Sequence, residues 1–174
     1  IATGTGDMAI RAYHTLQPEQ ITGIDISKQM LEVGKQKIAK EGLAGKIDLQ
    51  LGDCENLIFH ENSFDVVMAA FGVRNFENLE NGLSEMKRVM KPGGQLLIIE
   101  FSKPNASFVK WGYRIYMQIV APKIAAIFKQ NVEAYQYLNK SAHAFPERSE
   151  FATILQSVGF KNASFKPLTF GICC

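Results

Sequence analysis

The sequence predicts an α/β fold with a mostly parallel sheet and helices on both of its faces. Strand-like and helix-like segments alternate along residues 1–101, glycine-containing turns separate several of them, and two strand-like runs are almost continuously apolar. Regular alternation favours parallel strands joined by right-handed crossovers. Continuous apolar runs are typical of strands that are covered on both faces.

The strands are predicted from β-branched, alternating or continuous apolar runs. In the first 101 residues these runs are 21–26, 47–51, 64–70 and 95–101. Residues 1–4 have the pattern of a strand end that runs into a glycine turn, so we expect the native chain to be longer at this end. Two close runs, 161–166 and 168–173, predict an antiparallel hairpin at the sheet edge, and the sequence stops just after them, which indicates a slight truncation.

The helices are predicted from apolar residues at helical spacing, beginning with residues 8–16. A second helix follows Ser27, a suitable N-cap, and ends at Gly42. Leu79 to Met90 form a third, which the Pro92-Gly93-Gly94 turn breaks. Three more helices are predicted at 108–129, 131–142 and near 147–157. We found no linker or repeat, so residues 1–174 are expected to be a single domain.

Composition excludes several classes of protein. The 174 residues are 47% hydrophobic, which suits a sizeable core, and the net charge of +2 lacks the basic face of a nucleic-acid binder. The three cysteines form no CxxC pair, so neither disulfides nor a metal site are expected, and a cytoplasmic location is the simplest interpretation. The longest apolar stretch, 108–128, contains charged residues and a proline, which argues against a transmembrane helix.

A glycine turn and an acidic residue predict a nucleoside site. Gly4-Thr5-Gly6 lies between a strand end and a helix start, where glycines let a ligand approach the backbone closely. Asp25, nineteen residues after Gly6, ends the next strand, where a carboxylate can accept both ribose hydroxyls. This spacing fits adenosylmethionine and NAD equally well, and a structural turn with a surface aspartate is a third interpretation.

The loop Gly52–Leu57 follows the next strand and is expected to reach the same crevice, because the ends of neighbouring parallel strands converge there. The short acidic side chain of Asp53 can accept a hydrogen bond from the amine of adenine. The alternative is that Asp53 only caps the helix after the strand.

An ordered series of motifs resembles the class I S-adenosylmethionine-dependent methyltransferases. The series comprises Ala2–Asp7, Gly23–Ser27, Gly52–Leu57, Asn62–Val67 and Lys91–Gly94. Within that class, further blocks resemble the quinone-biosynthesis C-methyltransferase family: Phe71–Asn75, Glu100–Pro104, Tyr135–Leu138 with Ser141, Phe145-Pro146 and Leu168–Gly171. The resemblance implies a Rossmann-like fold with a seven-stranded sheet whose last strand is antiparallel, and a helical cap inserted at about 105–145.

The resemblance also implies a methyltransferase that uses S-adenosylmethionine to methylate a ring carbon of a polyprenyl quinol. The implied acceptor is demethylmenaquinol, and the alternative is 2-methoxy-6-polyprenyl-1,4-benzoquinol of ubiquinone biosynthesis. Cofactor contacts are implied at Gly4, Thr5, Gly6, Asp25, Asp53 and Cys54. Ala70 stands where some relatives have a serine, so no side-chain hydrogen bond can come from it. A nicotinamide dehydrogenase and an inactive methyltransferase-fold scaffold are the rival classes.

Arg74 and Asn75 are the candidate catalytic residues. Arginine stays protonated, so Arg74 can stabilise a developing quinolate but cannot act as the base. Asn75 can orient the ring oxygen or a water that removes its proton. The alternative for Arg74 is a surface arginine after a strand. His143 is a candidate general base. Tyr137 could bind a quinol oxygen or pack in the core.

Residues 108–129 are aromatic-rich and apolar on more than one side. They predict either a core helix kinked at Pro122 or a cap that meets the polyprenyl tail. A substrate with such a tail has to be taken from the bilayer, which is compatible with a peripheral membrane contact. A homodimer is compatible with the sequence as well.

Overall fold

The computed structural model describes residues 1–102 and 132–174, without the side chains of 132–136. They form two compact units, residues 1–98 and residues 99–174. The helices are α1 (Asp7–Leu16), α2 (Lys28–Lys40), α3 (Leu79–Val89), α4 (Val132–Ala144) and α5 (Arg148–Ser157). The strands are β1 (Ile21–Asp25), β2 (Ile47–Leu51), β3 (Phe64–Ala70) and β4 (Met90–Ile99). The predicted helix 108–129 and most of the predicted cap lie outside the described residues.

In the first unit, β1 and β2 form a parallel pair, as predicted. Their register runs from Ile21 opposite Ile47 to Asp25 opposite Leu51, so both strands end at the same edge. Helices α1 and α2 cover this pair with a cluster of buried apolar side chains. The cluster consists of Ala9, Leu31, Ile38, Leu43, Ile47 and Leu49. Of the apolar positions that the sequence suggested for the second helix, Leu31 and Ile38 are buried, whereas Met30 and Val33 are exposed.

Strands β3 and β4 are hydrogen-bonded neighbours in a second two-stranded sheet. Here the structure corrects the prediction, because β4 begins at Met90 and runs through Pro92-Gly93-Gly94 instead of starting after them. Pairing begins early, since Asn62 N and Ser63 N donate to the carbonyls of Arg88 and Val89 at the end of α3. Gly93, within this strand, has φ +82°, a left-handed conformation that glycine adopts readily.

Residues Ile1 to Thr3, predicted as a strand end, lie between β1 and β3. Thr3 N donates to Ile24 O at 2.9 Å, and Ile1 N donates to Met68 O at 2.8 Å. A cavity of about 620 Å³ is lined by these residues and by parts of β1 and β3. None of the predicted cofactor or catalytic residues lines this cavity, so it is distinct from the site that the sequence predicts.

In the second unit, the ends of helix α5 agree with the prediction within one residue, but the predicted hairpin of 161–166 with 168–173 is wrong. Residues 161–166 form no strand. The chain instead folds back within the second run, where Leu168 pairs with Cys173 across a 3₁₀ turn at Thr169–Gly171. Cys173 also pairs in antiparallel orientation with Phe101. The seven-stranded sheet remains a prediction, because four strands are seen in the described residues.

Within residues 1–102 and 132–174, no helix combines the length and the apolar character that a membrane span requires. In the same part of the chain, no three His, Cys, Asp or Glu side chains are grouped to hold a metal ion.

The packing of α2 against the glycine turn predicts a large effect at Gly34. A Cβ on Gly34 would lie 2.6 Å from Leu49 Cδ1 and 3.1 Å from the main-chain carbon of Thr5. The backbone of Thr5 cannot easily move away, so Gly34→Ala should lower the free energy of unfolding by about 1–3 kcal/mol, measured by urea denaturation. Lys35→Ala, one residue further on the exposed face of α2, is the control; equal stability of the two variants would contradict the prediction.

Candidate cofactor site

Asp25 is the centre of the candidate site because its carboxylate joins two loops. The residue ends β1 and is only 8% exposed. Its Oδ2 accepts a hydrogen bond of 2.7 Å from Gly4 N in the glycine turn, and its Oδ1 accepts one of 2.8 Å from Ser27 N. Ser27 is the N-cap of α2. One buried side chain therefore fixes the glycine turn relative to the start of α2.

The carboxylate of Asp25 keeps capacity for a ligand. An ionised carboxylate has about four lone-pair sites, and the two backbone amides occupy one on each oxygen. Each oxygen can therefore accept one further hydrogen bond. Two adjacent hydroxyl groups, as on a ribose, match this remaining capacity.

The glycine turn has the backbone conformation that the sequence predicts. Gly4 and Gly6 have φ +54° and +78°, in the left-handed region that residues with a Cβ rarely adopt. Gly6 is also the N-cap of α1 and, as a glycine, supplies no side-chain cap to the first turn of that helix.

The hydroxyl of Thr5 is engaged within the protein. Its Oγ1 donates to Asp7 Oδ2 at 2.5 Å and accepts from Lys37 Nζ at 2.9 Å. Lys37 also pairs with Asp7 at 2.7 Å, and this hydrogen bond lowers the pKa of the Asp7 carboxyl. A cofactor contact at Thr5 would therefore use its main chain more readily than its hydroxyl.

The loop after β2 lies beside Asp25, as predicted. Gly52 N donates to Asp25 O at 3.0 Å, which places Asp53 one residue from that contact. The exposed Asp53 carboxylate accepts from Glu55 N at 2.8 Å and so caps a turn. No helix lies in the described stretch between β2 and β3, so the alternative interpretation of Asp53 as a helix cap is wrong. Its second oxygen accepts no bond among the described residues. Cys54 is buried, and burial raises the pKa of its thiol.

Arg74 and Asn75 lie in a 3₁₀ turn, Val73–Asn75, that follows β3. The turn is anchored by the buried side chain of Val73 and by Gly72, where a Cβ would lie only 2.3 Å from Ala2 Cβ. This contact places the turn against the residues that lead into the glycine turn. Arg74 Nη1 donates to the carbonyl of Phe71.

Three exposed apolar side chains near Asp25 were missed by sequence reasoning. Ile26 follows Asp25 and is 77% exposed, and Leu51 pairs with Asp25 in the β1–β2 register and is 58% exposed. Met30 Sδ lies 3.7 Å from where a Cβ on Gly4 would be. Large apolar residues at the end of β2, directly after β1 and in the first turn of α2 were the signal that could have identified them. They provide an apolar surface suited to a flat ring.

Helix α3 holds the loop that carries Asp53 and Cys54, and this role was also missed. Glu85 Oε2 accepts from Leu57 N at 2.8 Å, while Arg88 donates to Phe59 O and Leu57 O, each at 2.8 Å. Glu85 and Arg88 also form an ion pair of 2.6 Å, and this hydrogen bond lowers the pKa of the Glu85 carboxyl. The signal in the sequence was a Glu and an Arg three residues apart on one helix.

The second unit contains the two remaining candidates. His143 is exposed on α4, and its Nδ1 lies 2.8 Å from Asn139 O. Tyr137, on the same helix, is exposed too. Near the end of the chain, Arg148 donates to Ser102 Oγ and to Gly171 O, at 3.0 and 2.8 Å.

Comparison with solved structures identifies the fold. A methyltransferase from Thermotoga maritima, described as S-adenosylmethionine-dependent and a possible histamine N-methyltransferase, superposes with a TM-score of 0.65 at 21% identity. The match covers 93% of this chain and 62% of that one. A putative methyltransferase from Bacillus halodurans gives the same score at 24% identity, over 91% of this chain and 60% of that one. These likenesses show that the chain has the fold of the S-adenosylmethionine-dependent methyltransferases.

Sequence comparison then identifies the family. The model of the ubiE/COQ5 methyltransferase family matches residues 1–174, and the chain belongs to this family. Demethylmenaquinone methyltransferase of Bacteroides fragilis is 47% identical over 173 residues, 99% of this chain and 71% of that protein. The ubiquinone/menaquinone biosynthesis C-methyltransferase UbiE of Geotalea daltonii is 44% identical, over 99% of this chain and 73% of that protein. The resemblance read from the sequence is thus confirmed.

The lowered pKa of Glu85 predicts how the stability that Glu85 and Arg88 give to the loop after β2 depends on pH. A carboxyl with a lower pKa in the folded state adds stability above its unfolded pKa, near 4.5, and loses it as the pH falls through the folded value. The wild type should be more stable to unfolding than Glu85→Gln by on the order of 1 kcal/mol at pH 7, and this difference should decrease below about pH 4.5. Urea denaturation between pH 3 and 7 measures it, with the exposed Glu32→Gln as control. A difference that grows toward low pH would contradict the prediction.

Proposed function

We propose that this chain is the methyl-transferring part of an enzyme that binds S-adenosylmethionine and methylates a ring carbon of demethylmenaquinol. The observation that carries the cofactor proposal is the buried carboxylate of Asp25, held by Gly4 N and Ser27 N with one acceptor position left on each oxygen. The acceptor is proposed from the names of the relatives, among them the proteins of Bacteroides fragilis and Porphyromonas gingivalis, both called demethylmenaquinone methyltransferase.

The residues around Asp25 suit each part of the cofactor. Asp25 would accept the ribose hydroxyls, and the exposed side chains of Ile26 and Leu51 would contact the faces of the adenine ring. The free oxygen of Asp53 would accept from the adenine amine, with the main chain at Cys54 beside it. Gly4, Thr5 and Gly6 would contact the methionine part through the backbone, because the Thr5 hydroxyl is bound to Asp7 and Lys37.

Arg74 and Asn75 are proposed to act on the acceptor. The cofactor supplies an electrophilic methyl group on a sulfonium. Arg74 would stabilise the deprotonated quinol oxygen by charge-assisted hydrogen bonds. The resulting quinolate makes the ortho ring carbon electron-rich. Asn75 would orient that oxygen or a water that accepts its proton. The ortho carbon would take the methyl as the S–CH3 bond breaks and S-adenosylhomocysteine leaves. The same carbon would then lose its proton to water, which restores aromaticity.

The enzyme is proposed to work in the cytoplasm. It is also proposed to contact the membrane peripherally, because a polyprenyl substrate partitions into the bilayer. The second candidate acceptor is the ubiquinone precursor 2-methoxy-6-polyprenyl-1,4-benzoquinol, because relatives such as that of Geotalea daltonii carry a name that covers both pathways. A homodimer is compatible with the proposal but is not required by it.

Methyl transfer itself tests the proposal. The full-length protein is incubated with methyl-labelled S-adenosylmethionine and either quinol in reduced form, and the products are analysed by mass spectrometry. The expected result is one added methyl on demethylmenaquinol, with slower or no transfer to the benzoquinol. Transfer only to the benzoquinol would overturn the choice of acceptor. Binding of the cofactor without transfer to either quinol would contradict the proposed reaction.

Arg74→Ala separates a catalytic role from a structural one. Loss of a single charge-stabilising group typically lowers turnover by about 10²-fold or more, and we expect that effect on kcat with cofactor affinity changed less than about twofold. Steady-state kinetics and calorimetric titration with S-adenosylhomocysteine measure the two quantities. Arg11→Ala, on the exposed face of α1, is the control variant. A kcat equal to that of Arg11→Ala would show that Arg74 has no part in the reaction.

A further inference from the structure

Glu55 connects the two loops that carry the candidate site. It lies in the loop after β2, two residues beyond Asp53. Its Oε1 accepts from Glu77 N at 2.6 Å and its Oε2 accepts from Asn78 N at 3.0 Å. Both donors belong to the segment between the Arg74 turn and α3. One carboxylate therefore holds two successive backbone amides of the opposite loop.

The contact is reciprocal. Asn81, in the first turn of α3, donates from Nδ2 to Glu55 O at 2.9 Å. The same residue donates its main-chain N to Asn78 Oδ1, the side chain that caps α3. The Glu55 carboxylate also lies at the start of α3, where the helix dipole favours a negative charge. Three hydrogen bonds between the loops thus converge on Glu55.

The connection places Glu55 between Asp53, proposed to bind the cofactor, and Arg74, proposed to bind the quinol. Asp53 is two positions before Glu55, and Arg74 is three positions before Glu77. The intervening turn has little freedom, because Phe76 packs directly on Gly82 of α3, where a Cβ would lie 2.3 Å from the Phe76 ring. A shift of Glu55 would therefore be transmitted to Arg74 and Asn75 on one side and to Asp53 on the other.

We propose that Glu55 is a positioning residue that couples the nucleoside-binding loop to the Arg74 turn, so that the methyl donor and the quinol oxygen are held in one geometry. This inference rests on the proposed function. Near-attack alignment of donor and acceptor is the main requirement of methyl transfer, and small misplacements reduce the rate strongly. Glu55 contacts neither reactant and acts through Asp53 and Arg74.

Removal of Glu55 should leave the loop folded. Glu85 and Arg88 hold its far end at Leu57 and Phe59 without any contribution from Glu55. The N-cap bond of α3 from Asn81 N to Asn78 Oδ1 is also independent of it. The site can therefore lose its alignment while the fold is retained.

The test compares Glu55→Ala with Glu80→Ala in the full-length protein. Glu80 carries the same charge in the first turn of α3, and its side chain makes no hydrogen bond among the described residues. Glu55→Ala should weaken S-adenosylhomocysteine binding by about tenfold and, at saturating cofactor, lower kcat with the quinol by about tenfold or more, because both loops lose their alignment. Glu80→Ala should change each quantity less than about twofold. Glu55→Gln, which keeps one acceptor oxygen, should fall between wild type and Glu55→Ala.

Two results would overturn the inference. One is a Glu55→Ala variant that binds and turns over like Glu80→Ala. The other is a loss of cofactor affinity alone, with kcat unchanged at saturating cofactor, which would show that the loops are not coupled. If Glu55→Ala does not fold, cofactor affinity and kcat are measured on Glu55→Gln, and the same two results would overturn the inference. A wild-type protein that binds no S-adenosylhomocysteine would instead overturn the proposed function, and the titration distinguishes the two failures.

Discussion

The candidate site depends on one interaction, the buried carboxylate of Asp25 that accepts from Gly4 N and Ser27 N. A buried carboxylate without hydrogen-bond partners would be strongly unfavourable, so these two amides allow the Asp25 side chain to be buried. The same bonds fix the glycine turn against the start of α2. The Asp25 side chain therefore both stabilises these two loops and offers acceptor positions to a ligand. Its two hydrogen bonds to Gly4 N and Ser27 N orient the lone pairs that remain.

Helix α3 is the second organising element. It lies between the loop after β2 and the turn after β3, and its polar side chains hold both. Glu85 and Arg88 bind the far end of the first loop, and Asn78 and Asn81 organise the end of the second. The buried apolar face of α3 anchors this arrangement, since Leu83, Met86 and Val89 are almost completely enclosed. The loops are thus positioned by a helix that itself supplies no predicted cofactor contact.

Much of this could be predicted from the sequence because it depends on local patterns. Apolar periodicity predicted α1, α2 and α3, and the spacing of the glycine turn and Asp25 predicted that both contribute to one nucleoside site. Patterns that depend on neighbours were misread. Pro92-Gly93-Gly94 looks like a break, yet pairing with β3 carries β4 through it, and residues 161–166 look like a strand but find no partner. The contacts of Glu55 with Glu77 and Asn78 join residues more than twenty positions apart, so no local pattern could reveal them.

The most direct measurement is a crystal structure of the full-length protein with S-adenosylhomocysteine bound. Both ribose hydroxyls should lie within hydrogen-bonding distance of the Asp25 carboxylate, while the bonds from Gly4 N and Ser27 N are kept. The adenine ring should lie between Ile26 and the loop that carries Asp53. A nucleoside bound in the cavity between β1 and β3, or an Asp25 side chain turned away from Gly4 and from the ribose, would contradict this prediction.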